Sequence, residues 1–359
     1  MEVCSIMTRW EMPATKDAGG MSMTMAATAY LTGGTATGVG GLPHRDARAA
    51  AEFALTSTPD LPAIPSLPKR SPAESMIARA VVGIRGISVG QYGAIVIDAS
   101  RIDPFAPVHT DLQHDAFVGL HTFVEVAAGR TAPVKWQFIG PVSLGLSLVR
   151  AGVSAHLAFD VAVRAVRSHV RSIHEYVAAA LPDAPQVVLI DEPMIGDIMD
   201  ETFPIAPDTA IDLMSGAMAM IERDCLVGLH SCADVDISFL LAAGPAVLSV
   251  PVSESLVLSA PALAGFLDKG GLVAWGVVAS DGPLMNNAER AWKRLAGVWC
   301  GLVQNGCDAM KLRQQSLVTQ VSGMSSHTEE HAASIMGQVL DIGERVRTQA
   351  LATRLTVGA

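Results

Sequence analysis

The chain has 359 residues, of which 50% are hydrophobic and 17% are charged. This length is sufficient for one large hydrophobic core or two smaller ones. The net charge is −10 and no block of Lys and Arg residues stands out, which argues against nucleic acid or an anionic membrane surface as a partner.

The cysteines and the first residues indicate a protein of the cytoplasm. The five cysteines are few, odd in number and unevenly spaced, which argues against a disulfide framework. No run approaches the roughly eighteen consecutive apolar residues of a membrane span. Residues 1–32 lack the basic and apolar regions of a signal peptide. We therefore expect a soluble cytoplasmic protein in which residues 1–32 form a flexible extension.

From residue 33 onward, short apolar runs alternate with longer segments of helical periodicity. The runs are rich in β-branched residues, as is typical of parallel strands that are buried on both faces. The predicted strands are 36–39, 94–98, 134–139, 187–190, 226–229, 246–250, 272–278 and 316–321. The predicted helices are 45–55, 72–82, 111–128, 155–181, 207–223, 235–243, 260–269, 288–305 and 328–352. This alternation predicts an α/β protein with one domain over residues 33–359, a (β/α)8 TIM barrel.

A doubly wound parallel sheet is the main alternative to the barrel. No G-x-G-x-x-G sequence follows a predicted strand, and no Walker sequence is present. The Pro-rich segment 61–72 is too short to link two domains, so we predict an extended loop that covers one mouth of the barrel.

His230 and Cys232 follow the predicted strand 226–229 directly. Residues two apart in an extended strand point to the same side, so the imidazole and the sulfur can converge on one ion. Both are ligand types that zinc prefers, and two of them require at least one more. The alternative is a hydrogen-bonded histidine at the end of a strand and a small buried cysteine.

Asp191 and Glu192 follow the predicted strand 187–190, and Pro193 ends the strand pairing. In a barrel this is the carboxyl face, where functional residues lie. Adjacent strand residues alternate sides, so only one of the two carboxylates can face the barrel axis. That acid could bind a substrate ammonium group or transfer a proton. The alternative is that Asp191 caps a helical turn and Glu192 pairs with a nearby Arg.

His327 and His331 stand four residues apart beside Glu329 and Glu330, which satisfies the string H-x-x-E-H literally. Two acids in this position are equally suited to the first turn of a helix, where they offset the helix dipole. We therefore predict a solvated helix N-terminus at this position.

Short motifs run through most of the chain in a fixed order: 39–44 (VGGLPH), 64–71 (IPSLPKRS), 140–143 (GPVS), 190–193 (IDEP), 230–232 (HSC), 270–276 (GGLVAWG) and 315–319 (QSLVT). As an ordered set, they resemble the cobalamin-independent methionine synthase family, specifically stand-alone proteins similar to its carboxyl-terminal catalytic barrel. The resemblance covers the chain from Gly33 to its end. It implies a barrel that transfers a methyl group from a folate or another carrier to a thiol such as homocysteine, in methionine biosynthesis.

The resemblance also implies a zinc ion, which binds the thiol substrate and lowers its pKa so that the nucleophilic thiolate exists at neutral pH. His230 and Cys232 match two of the family's four zinc ligands. Pro251 stands where the family has an acid, and Ser322 stands where it has a cysteine.

Other positions could complete the zinc site or bind the substrate. The zinc site could be completed by the substrate itself or by one of two side chains, Glu254 or Cys307. Asp191 matches the acid that binds the substrate amine in the family, and Gly41 replaces the serine of the family's G-S-x-P pattern. The predicted catalytic residues are Asp191, Glu192 and His230. The predicted substrate-binding residues are Gly41, His44, Asp191 and Trp275.

Two functions are compatible with these residues. The first is an S-methyltransferase similar to methionine synthase, with a small-molecule thiol, a methyl donor such as a methyl-folate, and zinc. The second is a barrel without zinc that binds a small molecule or performs different chemistry, as relatives in the uroporphyrinogen decarboxylase-like superfamily do.

Overall fold

The computed structural model describes residues 31–90, 92–103, 105–280 and 288–357, with side chains described up to residue 348. The extension predicted over residues 1–32 lies outside the described residues, except for Leu31 and Thr32. All other described residues lie within residues 33–359, the range of the predicted domain, which stays a prediction.

The strands confirm the α/β class. They are β1 (Thr35–Ala36), β2 (Ile87–Val89), β3 (Ile95–Ile97), β4 (Val134–Ile139), β5 (Gln186–Asp191), β6 (Leu226–His230), β7 (Val247–Pro251), β8 (Leu272–Val278) and β9 (Ser316–Gln320). Seven of them form one parallel sheet in the order β1-β9-β8-β7-β6-β5-β4. This sheet is curled into a half-barrel. From β4 to β9 each strand lies beside its predecessor in the sheet, as the barrel prediction requires.

The segment 62–66 lies between the two edges of this curled sheet. The backbone N–H of Ile64 donates to the carbonyl oxygen of Lys135 in β4, at 2.7 Å. The N–H of Ser66 donates to the carbonyl oxygen of Gly40, which follows β1, also at 2.7 Å. The prediction of a loop over the barrel mouth is therefore corrected, because this stretch is hydrogen-bonded to both sheet edges.

The predicted barrel strand 94–98 is wrong. Its central residues form β3, which pairs with β2 in a separate antiparallel sheet of two strands. Gly93 makes the turn between them possible: its φ is 81°, and its N–H donates to the carbonyl oxygen of Gly90 at 3.0 Å. Because the chain turns back at once, the apolar run of β3 pairs locally and does not reach the main sheet.

The described helices include a counterpart for each of the nine predicted helices, with ends that differ by several residues in some cases. They are α1 (Ala47–Ser57), α2 (Met76–Ala80), α3 (Val118–Val126), α4 (Pro141–Arg150), α5 (Ala155–Ala180), α6 (Pro207–Met218), α7 (Ile237–Ala242), α8 (Ala260–Asp268), α9 (Ala288–Gln304), α10 (Ala309–Gln314) and α11 (Glu329–Val357). Short 3-10 helices cover Pro72–Glu74, Ala99–Arg101, Asp115–Phe117 and Glu254–Ser259. Two of the helices, α4 and α10, are absent from the sequence prediction. Within the described part of the chain, no helix combines the length and the apolar character needed to cross a membrane.

The buried apolar side chains form two separate groups, one on each face of the curled sheet. The larger group joins the outer face to the helices, and it includes Trp136, Val188, Leu229 and Trp275. The smaller group consists of Leu31, Leu61, Val187, Leu189, Leu226, Val247, Leu272, Ala274 and Leu317. Its strand members alternate in sequence with those of the larger group, so the smaller group lies on the inner, concave face. We call these nine residues the apolar floor.

Candidate functional site

Three polar side chains lie on the inner face at the carboxyl ends of adjacent strands. Asp191 of β5 is in register with His230 of β6, which is in register with Ser249 of β7. Paired residues of neighbouring strands point to the same face, and Leu189, two residues before Asp191, belongs to the apolar floor. The three side chains therefore stand above the apolar floor, at the face where barrel enzymes bind their substrates.

Asp191 is held by a chain of hydrogen bonds that begins in β4. The side-chain Nε2 of Gln137 donates to Oδ1 of Asp191 at 2.7 Å. The Nζ of Lys135 donates to Oε1 of Gln137 and to the carbonyl oxygen of Gly38, the latter at 2.8 Å. Lys135 and Asp191 are 2% and 5% exposed, so this is a buried pair of opposite charges joined by an amide.

Burial shifts the pKa values of both charged groups toward their neutral forms. It raises the pKa of Asp191, while the hydrogen bond from Gln137 and the charges of Lys135 and Arg79 oppose that rise. It lowers the pKa of Lys135, and the charge of Asp191 opposes that fall. The two groups therefore depend on each other to remain ionised inside the sheet.

His230 is a buried, hydrogen-bonded histidine. Its Nδ1 lies 2.9 Å from the Oγ of Ser249. Burial lowers the pKa of His230 to about 3, and the nearby charge of Lys135 acts in the same direction. His230 is therefore neutral at neutral pH, and Ser249 fixes its ring through Nδ1.

Within the described part of the chain, no further metal ligands lie around His230 and Cys232. Among the described residues, no three or more His, Cys, Asp or Glu side chains form a group that could hold a metal ion. Glu254 is exposed in its 3-10 helix. Cys307 is buried elsewhere, with its Sγ 3.4 Å from the carbonyl oxygen of Ala260, and burial raises its pKa. Neither candidate joins the pair.

The positions that correspond to the other two family ligands carry side chains unsuited to zinc. Pro251 ends β7 and has no ligand atom in its side chain. The Oγ of Ser322 lies 2.5 Å from the Oγ of Ser280, so this hydroxyl is already hydrogen-bonded. The described residues thus do not fit a zinc ion held by three or four protein ligands.

Glu192 points away from the inner face. Its two carboxylate oxygens accept the backbone N–H groups of Val142 and Ser143, at 3.0 and 2.6 Å, in the first turn of α4. A Cβ atom on Gly140 would lie 2.1 Å from Oε1 of Glu192, so only glycine permits this approach. Glu192 therefore binds the N-terminus of α4, which corrects its predicted catalytic role and leaves Asp191 as the acid of the inner face.

Trp275 lies in the outer core. Its ring meets Trp299 in an edge-to-face contact with centroids 5.9 Å apart, and its Nε1 donates to the Oγ of Ser316 at 2.8 Å. Ala274, the preceding residue of β8, belongs to the apolar floor, so Trp275 must face the helices. The predicted contact between Trp275 and a substrate is therefore corrected.

Gly41 and His44 lie near the loop that follows β9. The carbonyl oxygen of Gly41 accepts the N–H of Met324 at 2.6 Å. His44 is 4% exposed and packs against Phe53 in a tilted ring contact with centroids 5.0 Å apart. Its Nε2 lies 3.9 Å from a carboxylate oxygen of Glu329. These contacts join β1 to the helices α1 and α11, and the role of both residues in substrate binding stays a prediction.

The histidines of the H-x-x-E-H string lie at the start of α11. His327 contacts the carbonyl oxygen of Ser280 through Nε2, and its ring centroid lies 5.2 Å from that of His331. Glu329 and Glu330 occupy the first turn of the helix. This is the helix N-terminus that the sequence predicts.

Sequence reasoning missed Lys135, Gln137 and Ser249. A signal for the first two was present, because they are the polar residues of an otherwise apolar strand and stand two apart, which places both on one face. Ser249 gave no such signal, since a single serine within an apolar strand carries no pattern of its own.

No protein-family model matches the chain, and no curated protein matches it. Among solved structures, the chain is similar to a B12-independent methionine synthase from Shewanella sp. W3-18-1 in complex with selenomethionine. The TM-score is 0.58 at 14% sequence identity, and the match covers 89% of this chain and 99% of that chain. The two proteins therefore share a fold, which supports the structural relationship that the sequence motifs indicate.

Proposed function

We propose that the chain is an S-methyltransferase similar to methionine synthase, which transfers a methyl group from a folate-type or other carrier to a small thiol. One observation carries the proposal. Asp191 and His230 stand side by side on the inner face of a fold shared with a methionine synthase, at the carboxyl ends of β5 and β6. A thiol that also carries an amine, such as homocysteine, would place its ammonium group against Asp191 and its sulfur toward His230 and Cys232.

The same proposal includes a closed barrel of eight strands in a cytoplasmic enzyme. The hydrogen bonds of Ile64 and Ser66 to the two sheet edges support closure, with segment 62–66 as the eighth strand. On the same edge of β4, the carbonyl oxygen of Lys135 accepts the N–H of Ile64, and that of Gln137, two residues later, accepts the guanidinium of Arg79 at 2.9 Å. The separate apolar floor also supports closure, because such a group needs strands on all sides to exclude water.

A second candidate is a barrel that binds a small molecule without zinc. Pro251 and the Ser280–Ser322 hydroxyl pair favour it, because they stand where two further ligands would be needed. His230 would then be a neutral hydrogen-bonding residue, and Cys232 would contact the ligand or a neighbouring side chain. The two candidates share the fold and Asp191, and they differ in whether the protein binds a metal ion.

Metal analysis separates the two candidates. The protein is purified without a chelating tag, and its zinc content is measured by mass spectrometry for the wild type and for Cys232→Ser, with Cys300→Ser as the control because Cys300 is exposed on α9. About one zinc per chain, lost only in Cys232→Ser, supports the zinc-dependent methyltransferase. Zinc well below one per chain in the wild type supports the second candidate.

Removing the charge of Asp191 tests amine recognition. We expect Asp191→Asn to weaken the binding of L-homocysteine about 10- to 100-fold, because one charge-assisted hydrogen bond is lost. Calorimetry measures the affinity, and thermal unfolding shows whether the variant is folded. Asp200→Asn is the control, since Asp200 is an exposed loop acid. Unchanged affinity in a folded Asp191→Asn protein would remove Asp191 from the site.

A further inference from the structure

The hydrogen bonds between β4 and β5 fix which way the amide of Gln137 points. Lys135 is an ammonium group, which can only donate hydrogen bonds, so the amide atom that faces it is the oxygen. The amide NH2 then faces Asp191, whose carboxylate can only accept while it is ionised. Lys135 and Asp191, at the two ends of this chain of hydrogen bonds, therefore require the same orientation of the Gln137 amide.

Lys135 is itself held in place by the segment that follows β1. Its Nζ donates to the carbonyl oxygen of Gly38 at 2.8 Å, and Lys135 is in register with Val187 of the apolar floor. Gln137 is held by its position in β4 and is 8% exposed. A fixed lysine, a fixed amide and a fixed carboxylate leave the Asp191 side chain little freedom to rotate.

The consequence concerns the two oxygens of Asp191. Oδ1 receives the Gln137 amide at 2.7 Å, so the direction of that donor is already filled. A primary ammonium group needs one acceptor and can use Oδ2. A guanidinium group binds a carboxylate best with two parallel N–H donors, one to each oxygen.

We propose that Lys135 and Gln137 are positioning residues that make the Asp191 site selective for a primary amine over a guanidine. This inference rests on the proposed function, since it assumes that Asp191 binds the cation of the ligand, and it adds the class of cation that the site accepts. Lys135 and Gln137 act through Asp191 and need not contact the ligand.

A matched pair of probes tests this selectivity. Cysteamine and 2-mercaptoethylguanidine share a thiol and a two-carbon spacer, and they differ in the cation alone. For the wild type we expect cysteamine to bind about tenfold or more tightly than the guanidine, which corresponds to the loss of one hydrogen bond. In Gln137→Met, the difference should shrink to about threefold or less, because no amide then occupies Oδ1 of Asp191. In Lys135→Met it should also shrink, because the Gln137 amide loses the partner that fixes its orientation.

Gln315→Met is the matched control. Gln315 is also 8% exposed and its amide also donates inside the protein, to the carbonyl oxygens of Leu267 and Gly271, at the opposite end of the strands. It should lower stability as Gln137→Met does and leave the ratio of the two probe affinities unchanged. If folded Gln137→Met keeps the wild-type ratio, the selectivity inference is overturned while the proposed amine site stands.

NMR spectra of the protein without ligand test the hydrogen-bond chain if neither probe binds. If the wild type binds neither probe, amine recognition by Asp191 is overturned, and the side-chain amide signals of Gln137 in NMR spectra decide whether the fixed geometry exists. These signals should shift in Asp191→Asn and in Lys135→Met, and they should stay in place in Asp200→Asn. Unshifted signals in the first two variants would overturn the hydrogen-bond chain itself.

Discussion

Asp191 and Glu192 show that a shift of one position along a strand moves a side chain from one face of the sheet to the other. The alternation of side chains predicts that only one of the two acids can face the barrel axis, and the structure confirms it. Which acid it would be depends on the register of β5 with its neighbours, and no short motif encodes that register. The prediction that Trp275 contacts a substrate failed for the same reason, because Trp275 lies on the outer face of β8. Its neighbours Ala274 and Gly276 are small, as suits the narrower inner face of a curled sheet.

His169 in α5 is a buried base whose protonation the fold opposes. Its side chain is fully buried between Phe117 and Phe138, and its Nε2 lies 3.1 Å from the carbonyl oxygen of Ala80. Burial lowers the pKa of His169 to about 4, and the charge of Arg79 acts in the same direction. The Nδ1 atom has no hydrogen-bond partner among the described residues.

This histidine should make the protein less stable in acid. The unfolded chain takes up the His169 proton near pH 6.5 and the folded protein takes it up only near pH 4, so stability is lost as the pH falls between these values. The loss attributable to His169 is about 3 kcal/mol. Urea unfolding of the wild type and of His169→Gln, at pH values from 4.5 to 7.5, measures it, and the variant should lose less stability in acid.

His156→Gln is the control for this measurement, because His156 is 90% exposed on the same helix. It should follow the wild type closely at every pH, because the exposed pair of His156 with Asp160 contributes little to stability. His230 is also buried with a lowered pKa, so some acid sensitivity should remain in His169→Gln. An unchanged pH dependence in His169→Gln would show that His169 has the same pKa in the folded and unfolded states, and would contradict the prediction.

At the scale of elements, α4 explains why a helix can escape sequence prediction. Its residues include Gly145, Ser143 and Ser147, which are modest helix formers, and the segment follows directly on β4 without a polar turn. The first-turn N–H groups of α4 are satisfied by Glu192 at the end of β5, about fifty residues later in the chain. A local sequence pattern cannot predict a helix cap that is supplied by a residue of the next strand.

The segment 62–66 illustrates the same limit for strands. Pro62 and Pro65 argue against a strand, because proline has no N–H to donate to a ladder. The structure meets this limit by using the N–H groups of Ile64 and Ser66, one toward each sheet edge. Prolines in this segment therefore exclude a regular ladder and still permit hydrogen bonds to both sheet edges.

Hydrogen exchange tests whether this segment closes the sheet. We expect the amides of Ile64 and Ser66 to exchange at least about 100-fold more slowly than unprotected amides, close to the amides of β4, because closure makes them part of the central sheet. Exchange measured by NMR gives the rates for single residues. Rates within about tenfold of the unprotected value would contradict closure and favour a loop that rests on the sheet edge.

For the whole molecule, the sequence predicted the α/β class and the order of the parallel strands from β4 to β9. Both come from one repeated signal, the alternation of apolar runs with segments of helical period. The partners within the site could not be predicted, because Lys135, Gln137 and Asp191 meet through the register of two strands fifty residues apart. Nor did sequence alone place the 2-stranded sheet of β2 and β3, which depends on a local turn.

The apolar floor restricts the route by which a molecule could enter and leave the proposed site. In the closed barrel that we propose, a molecule seated against Asp191 has packed leucine and valine side chains beneath it, so it can arrive and depart only through the carboxyl mouth. If the protein transfers a methyl group between two substrates, as we propose, the substrate that binds at Asp191 must enter first, and its product must leave before the next molecule enters. Inhibition by that product should therefore compete with the inner substrate, and kinetics that allow random entry would mean that a second route exists.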